Sequence, residues 1–234
     1  DYDVLAQRIP GTIDVLIKNM SKYKTTRIMV NKDWTNTPES YRKPVTVKLY
    51  KETRTRGINL EEVAVLTITK GMGWTGWFNG IPKLDDTDTE VNYHVAEVGI
   101  GEFTKENVSL TEITDGYTIG TNGLYKVQIE GDGSEKVTVK NDIERVNIEA
   151  EKLWAAGVTK VPVEFTLYSK KGESFTQATG AAVIAVADTM TVTFTGVPLL
   201  DETGENIIYY VFETKIGDTA ANHNYSNNYT VKVP

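Results

Sequence analysis

Lys32 stands in a run where the two-residue period of a β-strand puts its side chain beside Ile28, Val30 and Trp34, so the ammonium is aimed with apolar groups into a core. The same parity recurs at Glu97, which closes a row begun by Tyr93 and Val95, and at Asn141, which closes a row begun by Val137 and Val139. Burial disfavours the charged form of both a lysine and a carboxylate. A lysine driven neutral is a nucleophile, and a glutamic acid that keeps its proton is a proton donor. Facing a carboxamide, that pair has the parts to form an isopeptide bond and release ammonia.

Three such strands need a sheet scaffold, and the rest of the chain supplies one. Short runs rich in Val, Ile, Thr, Tyr and Phe alternate with Gly, Asn and Asp clusters: Val45 to Tyr50, Val63 to Thr69, Val91 to Val98, Val163 to Tyr168, Met190 to Phe194 and Ile207 to Glu213. The Ala-, Leu- and Glu-containing stretches Leu60 to Val65 and Thr179 to Ala187 lack a cap joined to a long helical period and are read as strand or loop. The expected fold class is all-β, with antiparallel sandwiches. A length of 234 residues predicts two compact domains. With no cysteine, neither disulfides nor thiolate metal sites are available, and only His94 and His223 offer imidazole. A net charge of −7 argues against nucleic-acid or anionic-membrane partners. No stretch approaches the roughly 20 apolar residues of a membrane span, and the first residues do not read as a signal peptide, so the sequence reads as a mature, trimmed fragment.

The chain also repeats itself. Lys32-Asp33-Trp34 answers Lys152-Leu153-Trp154, and the proline-led strand Pro44 to Tyr50 answers Pro162 to Tyr168. Phe78-Asn79-Gly80-Ile81-Pro82 answers Phe194-Thr195-Gly196-Val197-Pro198, and Tyr93 to Glu97 answers Tyr209 to Glu213. The offset of about 116–120 residues drops to about 104 between Tyr125-Lys126-Val127 and Tyr229-Thr230-Val231, which places an insertion between Glu97 and Tyr125.

In this order, the lysine-x-tryptophan opening, the V-x-V-x-L-Y strand, the aromatic-x-G-[I/V]-P turn, the Y-x-V-x-E strand and the closing asparagine resemble the B-type (Cna-B) repeat of collagen-binding adhesins and pilins of Gram-positive bacteria. The resemblance covers about residues 24 to 234. It implies inverse immunoglobulin-like sandwiches, an extracellular, cell-surface or cell-wall location, and a stalk or fibre role with no turnover beyond self cross-linking. Carried over residue by residue, it implies Lys32 as nucleophile, Asn141 as acceptor and Glu97 as the acid that promotes the bond. Lys152 and Glu213 match in the second copy, where no asparagine does.

The expected organisation is a terminal hairpin over residues 1–23, a first domain over 24–143 and a second over 144–234 that lacks its last strand. The stretch Tyr2-Asp3-Val4-Leu5-Ala6, a turn near Pro10-Gly11 and Val15-Leu16-Ile17-Lys18-Asn19 match the missing piece, with Asn19 closing the row of Val15 and Ile17. Three arrangements follow: a stalk cut within a repeat, a head-to-tail fibre in which Lys152 bonds to Asn19 of a neighbour by strand addition, or a hairpin folded back within one molecule. Expected partners are thus neighbouring repeats or identical subunits. A competing role is a ligand-binding adhesin domain that meets a host matrix protein or glycan through its loops.

Other features carry plainer readings. Trp74, Trp77 and Phe78 are read as core or inter-domain packing rather than a sugar platform, and His94 as solvent-facing. The loops Asp85 to Glu90 and Asp201 to Glu205 hold oxygens but not calcium-loop spacing, so no metal or cofactor is expected. No hydrolase motif is present.

Overall fold

The computed structural model describes residues 2–8, 15–21, 25–34, 36–53, 58–85, 87, 89–171, 173–185, 191–217 and 219–220, with backbone alone for 2–8, 15–21, 179–185 and 219–220. The described chain is built almost wholly of strands and divides into two compact units, Asp1–Asp142 and Ile143–Pro234.

The first unit begins with β1 (Tyr2–Arg8) and β2 (Val15–Ser21), an antiparallel hairpin paired in the register Val4↔Asn19. β3 (Thr25–Asp33), β4 (Val45–Thr53), β5 (Asn59–Ile68), β6 (Thr75–Pro82), β7 (Tyr93–Ile100) and β8 (Phe103–Thr104) follow. After helix α1 (Leu110–Asp115) come β9 (Tyr117–Ile119), β10 (Tyr125–Glu130) and β11 (Lys136–Asp142). From β3 onward these strands make two sheets, in the orders β6-β3-β11-β10-β9 and β5-β4-β7-β8. β3 and β11, far apart in sequence, lie parallel and adjacent with Val139 opposite Lys32. The alternating burial of β3 and β11 seals Ile28, Val30, Val137 and Val139 into the core with Val45, Val47 and Leu49 of β4. Gly131 turns the chain between β10 and β11 at φ +73°, where an added Cβ would lie 2.6 Å from the Lys136 carbonyl oxygen.

In the second unit β12 (Arg145–Glu151) pairs with β15 (Thr191–Pro198). β13 (Val163–Lys171) lies between β14 (Ser174–Ala185) and β16 (Ile208–Ile216), and β16 pairs with β17 (Thr219–Ala220). Ile148, Val163, Phe165, Leu167, Val192, Phe194, Val197 and Tyr209 form its core.

The internal repeat reaches into irregular detail. β3 and β6 slip register between Thr26 and Ile28, and β12 and β15 between Val146 and Ile148. Gly80 and Gly196 take φ +66° and +65°, and the Tyr93 and Tyr209 hydroxyls donate to the Pro82 and Pro198 carbonyls at 2.8 and 2.7 Å. Asp85 Oδ1 accepts from the Thr87 and Thr89 amides, and Asp201 Oδ1 from those of Thr203 and Glu205. In both loops the aspartate thus closes its own turn.

The stretches read as strand or loop are β5 and, as far as it is described, β14. α1 has no counterpart in the sequence reading. Its N-terminus carries a capping box, in which Ser109 Oγ accepts from the Glu112 amide while the Glu112 carboxylate accepts from Ser109 N–H.

Candidate functional site

The ends of the inward rows of β3, β7 and β11 converge in the interior of the first unit. Lys32 Nζ lies 3.6 Å from Glu97 Oε2, and both side chains are wholly inaccessible to solvent. Asn141 Nδ2 donates to Glu97 Oε1 at 2.6 Å. The carboxyl group therefore touches the amine with one oxygen and the carboxamide with the other. Lys32 Nζ also donates to the carbonyls of Val139 and Asp33 at 3.2 Å each, and sits 4.0 Å from the centroid of the Trp34 ring. Trp74 meets Trp34 edge-on at 5.5 Å and Tyr125 does so at 6.1 Å, which walls the amine with aromatic surface.

Electrostatics follow from that wall. Burial pulls the Lys32 pKa down to about 8, against the opposing pull of Glu97 and Asp33. Burial pushes Glu97 up, with Lys32 and Asn141 pulling the other way. Each shift runs toward the uncharged form of its group, the direction in which a closed interior drives an amine and a carboxyl group alike. Glu97 Oε2, Asn141 Oδ1 and Trp34 Nε1 are buried without hydrogen-bond partners. An amine, an acid and a carboxamide in contact and closed off from solvent are the groups that an amide exchange requires.

Two residues absent from the sequence reading hold these groups. Thr37, itself buried, donates from Oγ1 to the Asn141 carbonyl at 2.8 Å. Tyr117, in the insertion, accepts from Glu97 N–H and donates to the Glu97 carbonyl, both at 2.8 Å. Neither sits in an apolar period that would have marked it, and Tyr117 has no counterpart in the second copy to align with.

In the second unit Lys152 Nζ lies 3.1 and 2.8 Å from the two Glu213 carboxylate oxygens and 4.6 Å from the Trp154 ring centroid. The amine–acid–indole set is thus repeated, but in a wetter place, with the two side chains 19% and 21% exposed. Asn19 stands in β2, and its side chain lies outside the described residues, as do His223 and the run Tyr229 to Val233.

Other expectations are revised. His94 does point away from the Tyr93–Val95 face, yet it is not solvent-facing. Nδ1 bonds Asp132 Oδ2 at 2.5 Å, Nε2 lies 3.3 Å from Glu52 Oε1, and the side chain is 12% exposed. The carboxylates come from the β10–β11 turn and from β4, contacts that strand parity does not encode. The Asp132 hydrogen bond leads in raising the His94 pKa, against burial, with Glu52 adding to the rise. A raised folded-state value means that this clamp contributes fully below the unfolded histidine value near 6.5 and is lost as pH climbs through the folded value. His94→Gln is therefore expected to lower the urea midpoint more at pH 6 than at pH 9. Equal losses at both would contradict it. Phe78 is buried and Trp74 packs on Trp34, but Trp77 is 40% exposed with the Arg27 guanidinium 4.6 Å from its ring centroid, so it is not a core residue.

Among the described residues no group of three or more His, Cys, Asp or Glu side chains is disposed to hold a metal, and no helix is long and apolar enough to cross a membrane.

Residues 28–122 match the profile of the Cna protein B-type domain, a span that includes Lys32 and Glu97 and stops short of Asn141. Over that span the first unit resembles the B-type repeats of collagen adhesins. Comparison with curated proteins finds no match. Among solved structures the chain is similar to a single B repeat unit of the collagen-binding surface protein Cna of Staphylococcus aureus, at 20% identity and TM-score 0.32, covering 83% of this chain and 88% of that one. The two-repeat form of the same protein aligns at 20% identity and TM-score 0.33, over 92% of this chain and 50% of that one. The pilus adhesin SpaC from Lactobacillus rhamnosus GG aligns at 14% and 0.34, over 85% of this chain and 25% of that one.

Proposed function

We propose that this chain is a structural stalk or fibre module of a bacterial cell-surface adhesin or pilus-like protein, and that its first unit welds itself with an isopeptide bond between Lys32 and Asn141. The observation that carries this reading is a single carboxyl group, Glu97, in contact with both reactants in an interior closed to water. The neutral Lys32 amine attacks Asn141 Cγ. Glu97 takes the surplus proton from the attacking nitrogen and gives its own to the departing Asn141 Nδ2. One C–N bond forms, one breaks, ammonia leaves and Glu97 ends as it began, so each site reacts once.

The bond would join β3 to β11, the strands that open and close the sandwich. Tension would then pass through covalent bonds rather than through a ladder of hydrogen bonds. For an adhesin, neighbouring repeats or a host matrix protein or glycan are the partners in keeping, at the cell surface.

A second reading concerns Lys152 and Glu213, and the hairpin register favours it. Asn19 stands opposite Val4 in β1–β2, as Asn141 stands opposite Val127 in β10–β11. In each case the facing strand reads tyrosine-x-valine, Tyr2 to Val4 and Tyr125 to Val127. An equivalent hairpin from a neighbouring repeat or an identical subunit would bring Lys152 its carboxamide, and between copies of this chain the bond would run from Lys152 to Asn19.

Intact mass and a denaturing gel test both readings. A shortfall of about 17 Da supports the Lys32–Asn141 bond, and an unchanged mass refutes it. A ladder that survives boiling and vanishes in Asn19→Ala supports the bond between copies, whereas one band refutes it.

A further inference from the structure

We propose that Tyr117 is a positioning residue for the bond-forming reaction, a strut that sets the Glu97 carboxyl group at the height of Asn141. The proposal rests on the isopeptide reading of the first unit and deepens it.

The argument starts from the edge of β7. On one side β7 pairs with β4, in a register that slips between Thr46↔Gly99 and Val47↔Glu97 and so leaves Val98 bulged. On its other side β8 pairs only with Gly99 and Ile100. Among the described residues the edge at Glu97 therefore has no neighbouring strand, in a place where unsatisfied backbone groups would be buried. Two side chains stand in for the strand. Asp132 Oδ1 accepts from Val95 N–H at 2.9 Å, and the Tyr117 hydroxyl takes both backbone groups of Glu97 at 2.8 Å. One hydroxyl accepting and donating to the same residue fixes that residue's backbone, and so the direction in which its Cβ leaves the strand.

The other end of the strut is what ties it to the reaction. In the facing sheet Tyr117 pairs with Val127, and Val127 pairs with Asn141. Tyr117, Val127 and Asn141 thus form one row across three strands, and the phenol spans from that row to Glu97 in the opposite sheet. The acid and its carboxamide partner are held in common register by a single side chain. Burial, then the nearby Glu97 carboxyl, raises the Tyr117 pKa, so the hydroxyl keeps the proton that it donates. Tyr117 lies in the insertion that distinguishes the first copy from the second, and the described part of the second unit holds Glu213 without such a clamp.

Tyr117→Phe removes only the hydroxyl. Tyr93→Phe is the matched control, because Tyr93 is 9% exposed like Tyr117 and its hydroxyl donates to a backbone carbonyl away from the site, that of Pro82, at 2.8 Å. Chain made by cell-free synthesis, acid-quenched at intervals and weighed intact, gives the rate of ammonia loss for each. The expected result is wild-type speed for Tyr93→Phe and a rate about 10- to 100-fold lower for Tyr117→Phe, the penalty typical of a slightly misplaced reacting group. Rates equal within about twofold, or slowed alike in both variants, overturn the positioning role while leaving the bond intact. A wild-type chain that never loses ammonia overturns the bond and this role together. Should Tyr117→Phe fail to fold, hydrogen exchange at the Glu97 amide of the wild-type protein decides. Strong protection supports the strut, and exchange as fast as at an open edge refutes it.

Discussion

Lys32→Ala is expected to leave the chain at its full calculated mass and to lower the melting temperature of the first unit by roughly 10–20 °C. The argument is one of ring size. A bond from Lys32 to Asn141 closes a loop of roughly 110 residues, and a cross-link of that span removes about 4–5 kcal/mol of freedom from the unfolded chain. Two smaller effects accompany it. Truncation empties the volume of the lysine stem beneath Trp34, and it strips Glu97 Oε2 of its neighbouring amine. Lys32→Met separates these from the cross-link, since it fills the stem's volume and cannot react. Both variants should lack the mass shortfall of about 17 Da, and Lys32→Met should recover only the packing part of the stability loss. Calorimetry beside intact mass measures both quantities. Should Lys32→Met melt with the wild type while retaining its ammonia, no covalent bond stabilises this unit.

The parts of this site that the sequence made legible are those governed by strand period. Parity alone sorts Ile28, Val30 and Lys32 from Met29 and Asn31, and the burial of β3 follows it residue by residue. The same local rule placed Glu97 and Asn141 inward, and the repeat comparison paired Lys32 with Lys152 and Glu97 with Glu213. What parity does not carry is anything that arrives from another element. Tyr117 reaches Glu97 from a three-residue strand in the insertion, Thr37 reaches the Asn141 carbonyl from a loop, and Asp132 reaches His94 from a turn 38 residues away. α1 is a separate case. Ser109 and Glu112 spelled a capping box, but six residues offer too little apolar periodicity to stand out in a strand-rich chain.

The two lysine–glutamate pairs share a sequence pattern and differ in their surroundings. Lys32 and Glu97 are held apart from water and from full hydrogen bonding with each other, at 3.6 Å, whereas Lys152 and Glu213 make a direct two-oxygen contact at partly exposed positions. In a pair of the second kind the amine is already held by both carboxylate oxygens, in reach of solvent and with no carboxamide described beside it. Bond formation there would first require a strand to cover the pair and expel water. On this reasoning strand docking would have to precede any bond in the second unit, whereas in the first unit folding itself closes the three groups off from solvent.

Glu97→Gln should slow ammonia loss by about 10²–10⁴-fold, the usual worth of a positioned acid–base group, while leaving Lys32, Asn141 and the hydrogen bond to the carboxamide nearly unaltered in shape. Its pH dependence is the more discriminating measurement. In the wild type the amine must be neutral and the carboxyl protonated at once. At low pH Lys32 is an ammonium without a lone pair. The rate should rise with pH as the buried pair sheds its first proton and fall again as it sheds the second, since only the neutral amine beside a protonated carboxyl group reacts. A glutamine in its place has no acidic proton to lose, so the alkaline limb should vanish and the residual rate should level off instead. The rising limb should also move to lower pH, because Glu97 is the group that does most to hold the Lys32 pKa up against burial. Chain captured in denaturant, refolded across a pH series and followed by intact mass yields both profiles. A Glu97→Gln profile that keeps the wild-type alkaline limb would take the proton-carrying role away from Glu97.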